Sequence, residues 1–124
     1  MQTVGTIPQG KAARQGDVFV FNMDAKAPDD LKFQEVPNVV LAAGTVTGHK
    51  HNLIKEDPAT IIKSAKGTRK AFGGDRETTF VTVENGNAIL AHEEHGNILV
   101  QPGLYKVVIQ EEFDIIEQMR KVMD

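Results

Sequence analysis

Short runs of apolar residues alternate with polar residues along most of the chain, which is the pattern of half-buried β-strands. Gly, Pro, Asn and Asp residues separate the runs at intervals of about ten residues, as turns do in small β proteins. The runs that predict strands are residues 18–21, 39–43, 45–55, 59–65, 78–84, 87–92, 98–100 and 104–113. The sequence therefore predicts an all-β fold, a small antiparallel β-barrel or sandwich, as a single domain over residues 1–124.

Four other segments have predictions of their own. Residues 1–16 are rich in Gly, Gln and Thr and predict an irregular N-terminal arm. Asn85-Gly86 predicts a two-residue hairpin between its flanking strands, because both central residues of a type I′ turn need positive φ. Residues 66–76 are basic and glycine-rich, which predicts a solvated hairpin tip, with a mobile anion-binding loop as the alternative. Residues 114–124 predict a short C-terminal helix, or a strand that extends to an oligomer partner.

The composition narrows the classes of function. The chain has no cysteine, which excludes thiolate metal sites and cysteine nucleophiles and fits a cytoplasmic location. A formal net charge of -3 and the absence of Trp disfavour nucleic acid or an anionic membrane as partner. No apolar run approaches the roughly twenty residues of a membrane span, and the N-terminus lacks the apolar core of a secretory signal. The expected partners are a small-molecule ligand and a second copy of the chain in a homo-oligomer.

All four histidines fall in two short clusters, Gly48-His49-Lys50-His51 and His92-Glu93-Glu94-His95-Gly96. His49 and His51 share one face of a predicted strand with apolar Leu53, which indicates that this face points inward. Neutral imidazole is a common protein ligand for divalent transition metals. We therefore expect His49, His51, His92 and His95 to converge on one Zn, Fe, Mn or Ni ion. The alternative is that they are polar residues at the mouths of loops.

Charged residues near these clusters are candidates for the chemistry. Glu94 is the candidate catalytic residue, as a general base or as the partner that orients an imidazole. The candidates for ligand binding are Lys50, Glu56, Arg69 and Lys70. A solvated charge is the alternative for each of them.

Two groups of motifs resemble known families. Gly44, His49-x-His51 and Glu56 resemble the first metal motif of the cupins, which implies an all-β fold and a metal ion. Glu56 stands one position later than in the cupin pattern, and Pro102-Gly103 follows the second histidine cluster instead of preceding it. A longer series of motifs is similar to a set of small, uncharacterised bacterial and phage proteins. It comprises residues 14–18, the GHxH and HxEHG motifs, residues 102–105 and residues 110–113.

These observations favour a small, cupin-like, metal-binding β-barrel protein that acts on or binds a small polar or anionic ligand. Whether it is an enzyme is open at this stage. The rival is a non-enzymatic phage or bacterial accessory or assembly protein, whose histidines form a structural metal site or a subunit interface. A third interpretation is metal-free acid–base chemistry by paired histidines on a phosphodiester.

Overall fold

The computed structural model describes residues 3–23, 29–42, 50–71, 74–92 and 96–109, and these residues form eleven β-strands. The strands are β1 (Thr3–Thr6), β2 (Ala12–Gln15), β3 (Val18–Asn22), β4 (Gln34–Val36), β5 (Asn38–Ala42), β6 (Lys50–Lys55), β7 (Ile61–Ala71), β8 (Gly74–Glu84), β9 (Ala88–Ala91), β10 (Asn97–Val100) and β11 (Gly103–Ile109). The described part of the chain contains no helix.

The strands form two sheets. The first sheet has the order β1-β10-β9-β6-β5, and the second has the order β2-β3-β11-β8-β7-β4. Neighbouring strands are antiparallel except for β1, which runs parallel to β10. The all-β prediction is confirmed, and the architecture is that of a sandwich, with no closed barrel among the described strands.

Both sheets contribute their inward residues to one hydrophobic core. Val20 and Val107 come from neighbouring strands of the second sheet, while Leu53 and Leu90 come from neighbouring strands of the first. All four are almost fully buried, because successive residues of a strand point to opposite faces and these lie on the inner one. Strand β3 shows this alternation, since Val18 and Val20 are buried and the other residues of the strand are only partly buried.

A two-residue hairpin joins β2 to β3. Gln15 pairs with Val18, so only Gly16 and Asp17 form the loop. Gly16 has a φ of 60°, and a glycine with positive φ at the first loop position is what a type II′ hairpin requires. The turn places Asp17 at the end of the sandwich.

The structure corrects the prediction of an irregular N-terminal arm. The segment predicted to be irregular contains β1 and β2, each paired with a strand from elsewhere in the chain. β1 lies on the edge of the first sheet and needs no alternating apolar pattern. The sequence signal for a strand is therefore weak there.

The predicted hairpin at Asn85-Gly86 is also wrong. Both residues do have positive φ, 58° and 138°. However, β8 pairs with β7 and β11 in the second sheet, whereas β9 pairs with β6 and β10 in the first. The turn therefore passes the chain from one sheet to the other, because the partners available on each side decide the pairing.

The basic, glycine-rich segment is strand for most of its length. β7 continues to Ala71 and β8 begins at Gly74, so a hairpin is present but is longer than predicted. The short strand β4, which was not predicted, pairs with β7 at the edge of the second sheet. The predicted C-terminal helix and the sequence before Lys50 that includes His49 lie outside the described residues.

Candidate functional site

Two histidines face each other across neighbouring strands at one end of the sandwich. The ladder between β6 and β9 pairs Asn52 with Ala91, so the next residues, His51 and His92, stand opposite each other. Both point inward and are buried, with 2% and 8% of their surface exposed. Their ring centroids are 4.3 Å apart and their planes are inclined by 35°. The structure thus brings one histidine from each sequence cluster together.

Gln15 of the second sheet holds the imidazole of His51 in the first. The Gln15 amide Nε2 donates to two backbone carbonyls, Leu90 O at 3.0 Å and Gly96 O at 2.9 Å. These bonds orient the amide so that its Oε1 is an acceptor, 2.8 Å from His51 Nδ1. His51 Nδ1 therefore bears the proton and donates to Gln15. In the neutral ring this leaves the lone pair on Nε2.

The Asp17 carboxylate lies on the other side of the same ring. Its Oδ1 is 3.5 Å from His51 Nε2, and its side chain is partly exposed. Both nitrogens of a buried imidazole therefore have an oxygen acceptor nearby. The two-residue turn between β2 and β3 achieves this by presenting Gln15 and Asp17 on either side of one glycine.

A cavity of about 260 Å³ lies between the sheets beside the histidine pair. Leu41, which pairs with His51 on the adjacent strand, lines it from the first sheet. Val107 and Ile109 line it from the second sheet. Ile109 pairs with Val18, which in turn pairs with Gln15, so the cavity and the histidines lie in the same layer between the sheets.

The candidates for ligand binding are dispersed. Glu56 follows β6 at the end opposite His51, and its Oε1 accepts a hydrogen bond from Asn87 Nδ2 at 3.1 Å. Five residues of extended strand separate it from His51, roughly 16 Å. Glu56 is therefore not a neighbour of the imidazoles, contrary to its proposed part in a cupin motif.

The remaining candidates are described only in their backbone or not at all. Lys50 pairs with Ala42 and alternates with His51, so its position belongs to the outer face of the first sheet. Arg69 and Lys70 pair with Arg76 and Asp75 near the tip of the β7–β8 hairpin. The side chains of all three lie outside the described part. His49, Glu94 and His95 also lie outside it.

The described residues alone do not complete a metal site. Within them, no set of three or more His, Asp or Glu side chains is arranged to hold an ion.

Sequence reasoning missed Gln15 and Asp17 as members of the site. Gln15 is 36 residues from His51, and no local spacing connects them. In the sequence, these two residues were marked only as part of the motif at residues 14–18, and the family resemblance assigned no role to that motif. A buried glutamine at the end of an otherwise exposed strand is the structural sign of that role.

The fold and these side chains define a small β-sandwich protein with a buried histidine pair between its sheets. The chain belongs to a family characterised by a domain of unknown function (DUF8820), which matches residues 14–110. Gln15, Asp17, His51 and His92 all fall within that stretch. No curated protein and no solved structure matches the chain. Within the described residues, no helix is long and apolar enough to cross a membrane.

Proposed function

We propose that this protein binds a divalent transition metal at the buried end of its sandwich and uses it to bind or act on a small polar ligand. His51 and His92 supply two ligands, and His49 and His95 complete the set. The buried positions of His51 and His92 between the two sheets accord with the cupin resemblance of the His49-x-His51 motif.

The observation behind the proposal is the environment of His51 Nε2. A neutral ring that donates from Nδ1 to Gln15 directs its Nε2 lone pair outward, and a carboxylate oxygen of Asp17 lies 3.5 Å from that atom. Imidazole binds a metal ion through such a lone pair, so the tautomer that Gln15 fixes is one that can be a ligand.

The Asp17 carboxylate places a negative charge beside the ring, which favours a cation at this end of the sandwich. Gln15 also corresponds to the outer partner that fixes the tautomer of metal-binding histidines in known sites.

Elemental analysis of protein purified without a histidine tag tests the proposal. The wild-type chain should contain close to one equivalent of a transition metal, and His51→Ala and His92→Ala should each lower its affinity at least roughly tenfold. Glu56→Gln is the matched control, because Glu56 lies at the opposite end of β6. A wild-type protein that neither contains nor binds Zn, Fe, Mn or Ni would refute the proposal and favour an imidazolium at His51.

A non-enzymatic accessory or assembly protein, of phage or bacterial type, is the second candidate. The observation that favours it is Val40 on the edge strand β5, a large apolar residue that is 51% exposed. An exposed edge strand is a surface on which another chain can pair. Analytical ultracentrifugation of Val40→Lys distinguishes the two, since a homo-oligomer assembled through β5 should dissociate while the metal content stays unchanged.

A further inference from the structure

The cavity beside the histidine pair has walls of two kinds. Leu41, Val107 and Ile109 form an apolar wall with residues from both sheets. Thr79, Lys66 and Glu77 lie on β7 and β8 and form the polar side. A cavity of about 260 Å³ is smaller than the pockets of drug-sized ligands, which begin at about 300 Å³. Its occupant is therefore a molecule of metabolite size.

The polar side presents one cation and one anion. Lys66 Nζ donates to Thr79 Oγ1 at 3.0 Å and lies 3.4 Å from Glu77 Oε1. Thr79 is buried, whereas the side chains of Lys66 and Glu77 are exposed at the mouth of the cavity and can change their orientation there. An ion pair this exposed contributes little to stability, so exchanging it for a ligand costs little.

We infer that the cavity binds a free α-amino acid with a small aliphatic side chain. Its carboxylate would lie against Lys66 and Thr79, its ammonium against Glu77, and its side chain against Leu41, Val107 and Ile109. A ligand with one charge pairs with only one member of the ion pair, whereas a zwitterion offers an opposite charge to both members.

This inference deepens the proposed function, because the cavity adjoins the proposed metal site. Leu41 lines the cavity and pairs directly with His51 on the next strand. This pairing is the link between the wall of the cavity and the proposed metal ligand.

Isothermal titration calorimetry with three ligands of the same shape tests the inference. Leucine has both charges, 4-methylpentanoate has only the carboxylate, and 3-methylbutylamine has only the ammonium. Leucine should bind roughly tenfold more tightly than either analogue, because a hydrogen bond to a charged group is lost in each case. Equal binding of 4-methylpentanoate would overturn the inference in favour of a simple carboxylate site, and no binding of any of the three would overturn it outright.

Substitutions at the mouth then locate the ligand. Lys66→Met should lower the affinity for leucine at least roughly tenfold. Glu77→Gln should remove the preference for leucine over 4-methylpentanoate. Lys63→Met and Glu84→Gln are the matched controls. Lys63 and Glu84 form a comparable exposed ion pair at 3.3 Å on the same hairpin, and neither residue lines the cavity. If the control variants lowered the affinity for leucine as much as Lys66→Met and Glu77→Gln do, the assignment to this cavity would be overturned.

The same preparations separate the two proposals. Lys66→Met and Glu77→Gln should retain the metal content of the wild type, since neither residue is a proposed ligand of the ion. Loss of leucine binding with normal metal content supports the cavity assignment. Leucine binding by a chain that binds no metal would refute the proposed metal function and leave the amino-acid site standing.

Discussion

Gln15 Oε1 and His51 Nδ1 are 2.8 Å apart, although the two residues belong to different sheets. The Gln15 amide also donates to the carbonyl of Leu90 in β9 and to that of Gly96, which directly precedes β10. One buried side chain therefore joins the two layers, fixes a tautomer and satisfies two backbone acceptors. Gln15 therefore contributes both to the stability of the fold and to the proposed metal chemistry.

Gln15→Leu should impair both metal binding and stability. Loss of the partner that orients His51 should lower metal affinity ten- to a hundredfold, as it does for outer partners in known metal sites. The two carbonyls and His51 Nδ1 lose their partner as well, so the free energy of unfolding should fall by about 1–3 kcal/mol. Calorimetric metal titration and urea unfolding measure the two effects. Gln34→Leu, at an exposed position of β4, should change neither, and unaltered metal affinity in Gln15→Leu would contradict the tautomer role.

Metal affinity should weaken as the pH is lowered from 7 to about 5. Protons compete with the metal for each imidazole nitrogen, and free histidine titrates near ~6.5. A competition assay with a chromophoric chelator at several pH values measures this. An affinity that stays flat over the range would indicate carboxylate ligands instead of histidines.

Removal of the metal should leave the fold intact. The core contains apolar side chains from both sheets, and its burial does not depend on the imidazoles. We expect a chelator to lower the melting temperature by only a few degrees, about 1 kcal/mol or less. A large loss of melting temperature, or dissociation of an oligomer, would identify the ion as structural and favour the assembly alternative.

Gly86→Ala should destabilise the chain more than Gly74→Ala. Both glycines have a φ that side chains rarely adopt, 138° and 125°, and each substitution should cost about 1–3 kcal/mol in backbone strain. A Cβ at Gly86 would lie 2.5 Å from Thr60 Oγ1, whereas one at Gly74 would meet no atom within 4 Å. Thermal unfolding of both variants separates the clash from the strain. Equal losses would show that Thr60 moves aside freely.

Stability should decline in alkaline solution because of Tyr105. Burial raises the pKa of the Tyr105 phenol above its ordinary value, and its hydroxyl donates to Gln101 O at 2.6 Å. The raised pKa stabilises the fold fully below about pH 10, where the unfolded tyrosine is still neutral. That contribution is lost as the pH rises from there through the folded pKa. Tyr105→Phe should cost about 1 kcal/mol at neutral pH and show a shallower alkaline decline in urea unfolding. An identical decline in the variant would assign the effect to other groups.

Local patterns in the sequence were enough to predict most strands and the all-β class of the fold. The run Val18-Phe19-Val20-Phe21 is apolar throughout and predicted a buried strand, and its two valines are in the core. The position of His51 on the same strand face as Leu53 correctly predicted an inward histidine. These inferences succeeded because the direction of a side chain depends only on its position within its own strand.

Pairing between distant strands could not be predicted in the same way. Asn85 and Gly86 both have the positive φ that the hairpin prediction required. However, β8 pairs with β7 and β11, and β9 pairs with β6 and β10, so β8 and β9 do not pair with each other. The contact between Gln15 and His51 depends on the packing of two sheets, and no feature of either segment encodes it alone. Long-range pairing depends on the whole chain. The sequence of a single segment therefore predicted that segment's own strand better than it predicted which strands pair with it.

The parallel pairing of β1 with β10 has a consequence for biosynthesis. Thr3 pairs with Asn97, so β1 is synthesised well before the strand with which it pairs. Until β10 has been synthesised the first sheet cannot acquire β1, which remains an unpaired strand within the nascent chain. Chaperones that bind extended segments during translation would therefore encounter residues 3–6 until β10 emerges from the ribosome.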